Sequence, residues 1–137
     1  KRVLTAADEV VVVASPDLAN LRNAKTMIDM LRAARPNDQK PHLVINGVGM
    51  LKRPEIDAAD FAKAVETEPL AAIGFDAKLF GTAANNGQMI AEVDAASKTA
   101  ELLGDIGRIV MRRAEIKRQK RTLLQPLMER FVKRKAS

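Results

Sequence analysis

The stretch EVVVVASPD, residues 9–17, decides the fold. Val10, Val11, Val12 and Val13 are consecutive β-branched residues, which suit an extended backbone. The run does not alternate with polar residues, so it predicts a strand buried on both faces, as in a parallel sheet flanked by helices. It stops sharply at Ser15-Pro16. Ser15 is placed to cap a helix whose first turn accepts Pro16 and Asp17, because its hydroxyl can take an orphan backbone amide and proline has no amide to orphan. Leu18, Leu21, Ala24, Ile28 and Leu31 follow at helical spacing, and this helix should end near Arg35-Pro36.

The same order of elements recurs downstream. His42-Leu43-Val44-Ile45 reads as a second strand ending in Asn46-Gly47-Val48-Gly49, and Asp57 caps a short helix carrying Ala58, Phe61, Ala62 and Val65. A third strand over residues 70–73 leads toward FGTAANNGQM, residues 80–89. So many small and amide residues suggest a loop where backbone approaches a ligand or a second subunit. Strand and helix alternating about every 30 residues imply parallel βαβ units with right-handed crossovers. The expected class is therefore α/β, a three-stranded parallel sheet with flanking helices. Ligands of such sheets gather at the carboxyl ends of the strands, where Ser15, Asn46 and Asp76 project. A last long helix starts near Gln88 or Ser97, with Ala100, Leu103, Ile106, Gly107 and Val110 inward.

Charge separates a body from a tail. Residues 112–137 hold ten Lys or Arg against two Glu, a net +8 within a chain of +6, so residues 1–111 carry −2. The expected organisation is a body over 1–111 and a basic amphipathic helical tail over 112–137, broken at Gln125-Pro126. Leu123, Leu124, Leu127, Met128, Phe131 and Val132 form an apolar stripe through it. As a bland element the tail docks that stripe on the body. Lys117, Arg118, Lys120 and Arg121 beside Leu124 and Phe131 equally suit an anionic membrane surface or, less well, DNA phosphates.

Composition excludes several functions. The chain of 137 residues, 47% hydrophobic and 29% charged, can enclose one modest core. Its four aromatics are all Phe, so no Trp or Tyr platform exists for stacking bases. There is no cysteine and His42 is the sole histidine, which excludes disulfides, thiolate metal sites and histidine clusters. No apolar run approaches the roughly 20 residues of a spanning helix, and Lys1-Arg2-Val3 is neither a signal peptide nor an initiator start. No GxxxxGK loop followed by Ser or Thr is present to cradle phosphates, so no catalytic residues are assigned.

The strings ADEVVVVASPDLANLRNAKTMIDMLRAARPND, LVINGVG, KRPEI and FGTAANNGQM resemble the CpaE/TadZ family of pilus-assembly proteins, within the MinD/ParA group of deviant Walker ATPases. The resemblance covers nearly the whole chain. It implies a partial P-loop NTPase-like fold: the carboxy-terminal half of an ATPase domain, without its phosphate loop. Asn46, closing the LVIN strand, matches a residue that approaches adenine, and IGFD at residues 73–76 matches the IPxD segment that covers the base. The implied base-side residues are thus Asn46, Gly74 and Asp76, with Gly74 standing where the family has proline and Ala77 replacing another proline nearby. ATP with Mg is implied for the intact parent, and no cofactor is expected on this portion alone. The resemblance also implies homodimerisation or other self-association, contact with Tad/Flp pilus machinery, and a cytoplasmic place, peripheral at the inner membrane or a cell pole. A ParA-type partition ATPase fragment and a structural adaptor without nucleotide binding are the alternatives.

Residue by residue, bland readings stand beside these. Asn46 can instead satisfy turn amides at a strand end, Asp76 can be an exposed turn carboxylate, Asn85-Asn86-Gly87 can be a plain turn, and Ser15 a plain helix cap. His42 reads as a strand-edge residue.

Overall fold

The structure, a computed structural model, describes residues 2–37 and 40–111. In chain order the elements are α1 (Arg2–Ala6), β1 (Val11–Ala14), α2 (Leu18–Ala34), β2 (His42–Val48), α3 (Ala58–Val65), β3 (Pro69–Gly74), α4 (Ala77–Asn86), α5 (Ile90–Val93) and α6 (Lys98–Val110). The strands form one sheet in the order β1-β2-β3, and both pairings are parallel. The α/β class and its parallel βαβ units are therefore as the sequence implies. The basic tail, with Lys117, Arg118, Lys120, Arg121, Leu124 and Phe131, lies outside the described residues.

One sheet face carries the main core. Side chains alternate across a strand, so Ala14, Leu43 and Ile45 share a face, and they pack with Ala24 and Ile28 of α2 and Phe61 and Val65 of α3. Phe61, Ile28, Leu31, Leu43, Ile45 and Val65 are fully buried, each contributing about 1.5–3 kcal/mol of apolar burial. Val44, Ala71 and Ile73 are buried too. Val44 alternates with Leu43 and Ile45, and the register sets Val44 beside Ala71, so these three occupy the opposite face. There α6 packs against β3. The expectation that β1 is buried on both faces fails at Val13, which is 61% exposed. β1 is an edge strand in this sheet, and α6 reaches β3 without covering it.

Several boundaries differ from the sequence expectation. Asp17, not Ser15, caps α2, its carboxylate accepting from the Asn20 amide at 2.8 Å. The Asp17 amide donates to the Ser15 carbonyl at 2.8 Å in a tight turn around the buried Pro16, which delays helix entry. β2 runs past Ile45 to Val48, because Gly47 at φ +75 forms a bulge between the paired residues Asn46 and Val48. FGTAANNGQM is no loop for most of its length: residues 80–86 belong to α4, and Gly87 at φ +65 ends it in a left-handed cap. The last long helix is α6, capped by Ser97, whose hydroxyl accepts from the Ala100 amide at 3.2 Å. Leu103, expected inward, is 38% exposed, because α6 has the sheet on one side only.

Candidate functional site

Three strand ends define one rim. β1 leaves through Ser15 and Asp17, β2 through Asn46 and the Gly47 bulge, and β3 through Gly74 into Asp76. The register pairs Asn46 with Ile73 and Val48 with Gly74, and the Phe75 amide extends the ladder by donating to the Val48 carbonyl at 2.7 Å. Asn46, Gly74 and Asp76 are therefore neighbours at the carboxyl ends of β2 and β3. The Asn46 side chain is exposed and has no hydrogen-bond partner among the described residues. Gly74 is exposed as well, with nothing within 4 Å of where a Cβ would stand. Asp76 caps α4, its Oδ1 accepting from the Leu79 amide at 2.8 Å.

Ser15 sits further along this rim, in the turn between β1 and α2. Beside it Asp17 is held by the Asn20 backbone amide and by the Asn20 side chain at 3.0 and 2.9 Å. These bonds favour the carboxylate, with Arg53 a lesser influence, and depress its pKa below the usual range.

The loop after β2 forms the wall between β1 and β2, and sequence reasoning missed its organisation. Glu55 accepts from the Gly49 and Met50 amides at 2.9 and 3.0 Å, folding the loop on itself. The Ile56 amide then donates to the Pro16 carbonyl at 2.8 Å, clipping the loop to the exit of β1. Arg53 bridges the two, 3.9 Å from carboxylate oxygens of both Asp17 and Glu55. KRPEI contains Arg53 and Glu55, yet nothing in its spacing names their partners. On the other side of the rim, Asp76, Lys78, Leu79 and Thr82 of the α4 start face Val93, Asp94 and Ser97 across an open groove.

His42 opens the central strand at the opposite rim, its Nε2 3.1 Å from a Glu9 carboxylate oxygen. It stands apart from Asn46 and Asp76. No group of three or more His, Cys, Asp or Glu positioned for a metal occurs among the described residues, and no described helix is long and apolar enough to cross a membrane.

Three solved structures are similar to this chain in fold. A ParA family ATPase from Chlorobium tepidum TLS superposes with a TM-score of 0.57 at 20% identity, covering 75% of this chain and 41% of that one. The MinD cell division protein of Aquifex aeolicus gives 0.63 at 21% identity, covering 79% and 45%. The Aquifex aeolicus MinC:MinD cell division protein complex gives 0.62 at 21% identity, covering 77% and 43%. The fold is that of the MinD and ParA ATPases. No family model matches the chain, and no curated protein does. The chain spans less than half the length of each of these MinD/ParA structures. At such identity the likeness shows the fold.

The rim thus presents an exposed primary amide at Asn46, an open flank at Gly74 and a capping carboxylate at Asp76.

Proposed function

We propose that this chain forms the nucleobase-facing flank of a MinD/ParA-type nucleotide switch, and that the whole protein is a CpaE/TadZ-type factor in assembly and polar placement of Tad/Flp pili. The observation that supports this reading is the exposed Asn46 amide beside Gly74 and Asp76 on one rim. A primary amide offers a donor and an acceptor side by side, the complement of an adenine edge. Gly74 leaves room for the ring, and the Asp76 oxygen not used on Leu79 can take a ribose hydroxyl or the adenine amino group.

ATP with Mg is the cofactor in this reading, and the triphosphate and metal would be held by residues outside this chain. The nucleotide supplies the energy difference between two association states. Two copies meet across the carboxyl-end rim, and pilus components are the partners, at the inner membrane or a cell pole.

The test is ATP titration of the whole protein. Asn46→Ala should weaken binding about tenfold, the worth of one to two hydrogen bonds near 1 kcal/mol each, while Asn23→Ala on α2 should not. An intact protein with no adenine-nucleotide affinity would mark a structural adaptor instead. The ParA neighbour and the +8 tail favour a second reading, a partition ATPase half. That reading requires duplex DNA affinity that falls steeply with salt.

A further inference from the structure

Building on the nucleotide reading above, we propose that Arg53 leaves its present carboxylate neighbours for a phosphate of the bound nucleotide, and so adds a contact from this chain beyond the base. Arg53 stands between Asp17, at the exit of β1, and Glu55, in the loop after β2. Its Nη1 and Nη2 are each 3.9 Å from a carboxylate oxygen, Nη1 from Asp17 and Nη2 from Glu55. Both distances exceed the roughly 3.2 Å limit of an N–H···O bond. Nε and Nη2 are buried and have no hydrogen-bond partner among the described residues. A guanidinium carries its N–H donors in a rigid fork, and buried donors left unpaired are costly.

Neither carboxylate depends on Arg53. Asp17 accepts from the Asn20 amide at 2.8 Å and from the Asn20 side chain at 3.0 and 2.9 Å, and these bonds, ahead of Arg53, hold it ionised. Glu55 accepts from the Gly49 and Met50 amides at 2.9 and 3.0 Å. The loop is clipped to β1 by the Ile56 amide on the Pro16 carbonyl, a backbone bond in which Arg53 has no part. Departure of the guanidinium therefore breaks no hydrogen bond and forfeits only the attraction of two partly exposed ion pairs. A phosphate, with paired oxygens, satisfies the fork that now has no acceptor.

The position suits that exchange. Ala14 pairs with Ile45, the residue before Asn46, so the exit of β1 is level with Asn46 on the neighbouring strand, about 4.8 Å across the sheet. A base held at Asn46 and Asp76 sends its ribose and phosphates sideways along the rim. One direction leads to Arg53 at the exit of β1, the other to the groove that holds Lys78. Of these two cations, Arg53 is the one with buried donors unmet.

The test titrates the whole protein with ATP and with adenosine. Arg53→Gln should weaken ATP binding about ten- to a hundredfold, the effect of losing hydrogen bonds to a charged group, and should leave adenosine binding unchanged. The thermal midpoint of this variant without ligand should hold or rise. Lys78→Gln should alter neither affinity, whereas Asn46→Ala should weaken both ligands and so reports on the base site separately. If Asn46→Ala acts and Arg53→Gln does not, the base site stands and the proposal is overturned. Equal losses of ATP and adenosine at Arg53→Gln, a lowered midpoint, or a loss at Lys78→Gln in its place would overturn it as well. An intact protein with no affinity for either ligand would remove the nucleotide reading itself, and the proposal with it.

Discussion

Arg32 ties the end of α2 to the end of α3. Its Nη2 donates to the Val65 carbonyl at 3.3 Å, the Glu66 carbonyl at 2.7 Å and the Thr67 hydroxyl at 3.0 Å, and its Nη1 reaches the Glu66 carboxylate at 3.5 Å. Two of these acceptors are carbonyls at the end of α3, where a cation also complements the helix dipole. Glu66 is in the left-handed region at φ 54, which costs a non-glycine residue about 1 kcal/mol. Lys25 joins from two turns earlier in α2, 3.2 Å from Asp29 and 3.4 Å from Glu66, and its pKa is raised, first by Asp29. Arg32→Ala should lower stability by about 1–3 kcal/mol, because it strips hydrogen bonds from half-buried acceptors. Arg32→Lys should recover only part, since an ammonium cannot span the same fork. Urea denaturation reads both, and an unmoved midpoint for the alanine variant would show the fork to be incidental. These partners stand more than 30 residues apart in sequence, so spacing alone could not reveal them.

At the scale of elements, apolar period marks the helices, whereas cap residues do so unevenly, Asp17 rather than Ser15 opening α2, and composition points to a loop where there is a helix. The period-based helices α2 and α3 fall where Leu18–Leu31 and Phe61–Val65 put them, and Asp57 caps α3 as expected. The small and amide residues of FGTAANNGQM suggest a loop, yet those ten residues begin inside a helix bounded by Asp76 and Gly87, each a standard terminus signal. The Gln88 amide donates to the Ala83 carbonyl at 2.9 Å and the Gly87 amide to the Ala84 carbonyl at 3.3 Å, closing the cap. Two glycines of α4 should then respond oppositely to alanine. Gly87→Ala should destabilise by about 1 kcal/mol because it forces a side chain into the left-handed region. Gly81→Ala, mid-helix with open space for a Cβ, should stabilise by up to about 1 kcal/mol. Thermal melts of the two variants decide it, and shifts of the same sign would contradict the cap geometry. The end of β3 ahead of Asp76 is legible in the sequence, whereas β2 continues two residues past Asn46 through the Gly47 bulge. Glu55 and Arg53 are not legible, because a loop's internal hydrogen bonds leave no period.

For the whole molecule, the two sheet faces are unequal. α2 and α3 bury Ile28, Leu31, Phe61 and Val65 against one face, whereas α6 contributes no fully buried residue to the other. Hydrogen exchange should therefore show β2 and α2 protected to the global limit, and α6 opening at lower free energy. Uniform protection across α2 and α6 would mean that the faces are energetically equivalent after all. The strand order has a consequence for how the chain acquires this shape. Among the described residues, each strand lies beside the next one in sequence. On a ribosome, β1, α2 and β2 could assemble as soon as residue 48 clears the exit tunnel, and β3 would be added to an existing template.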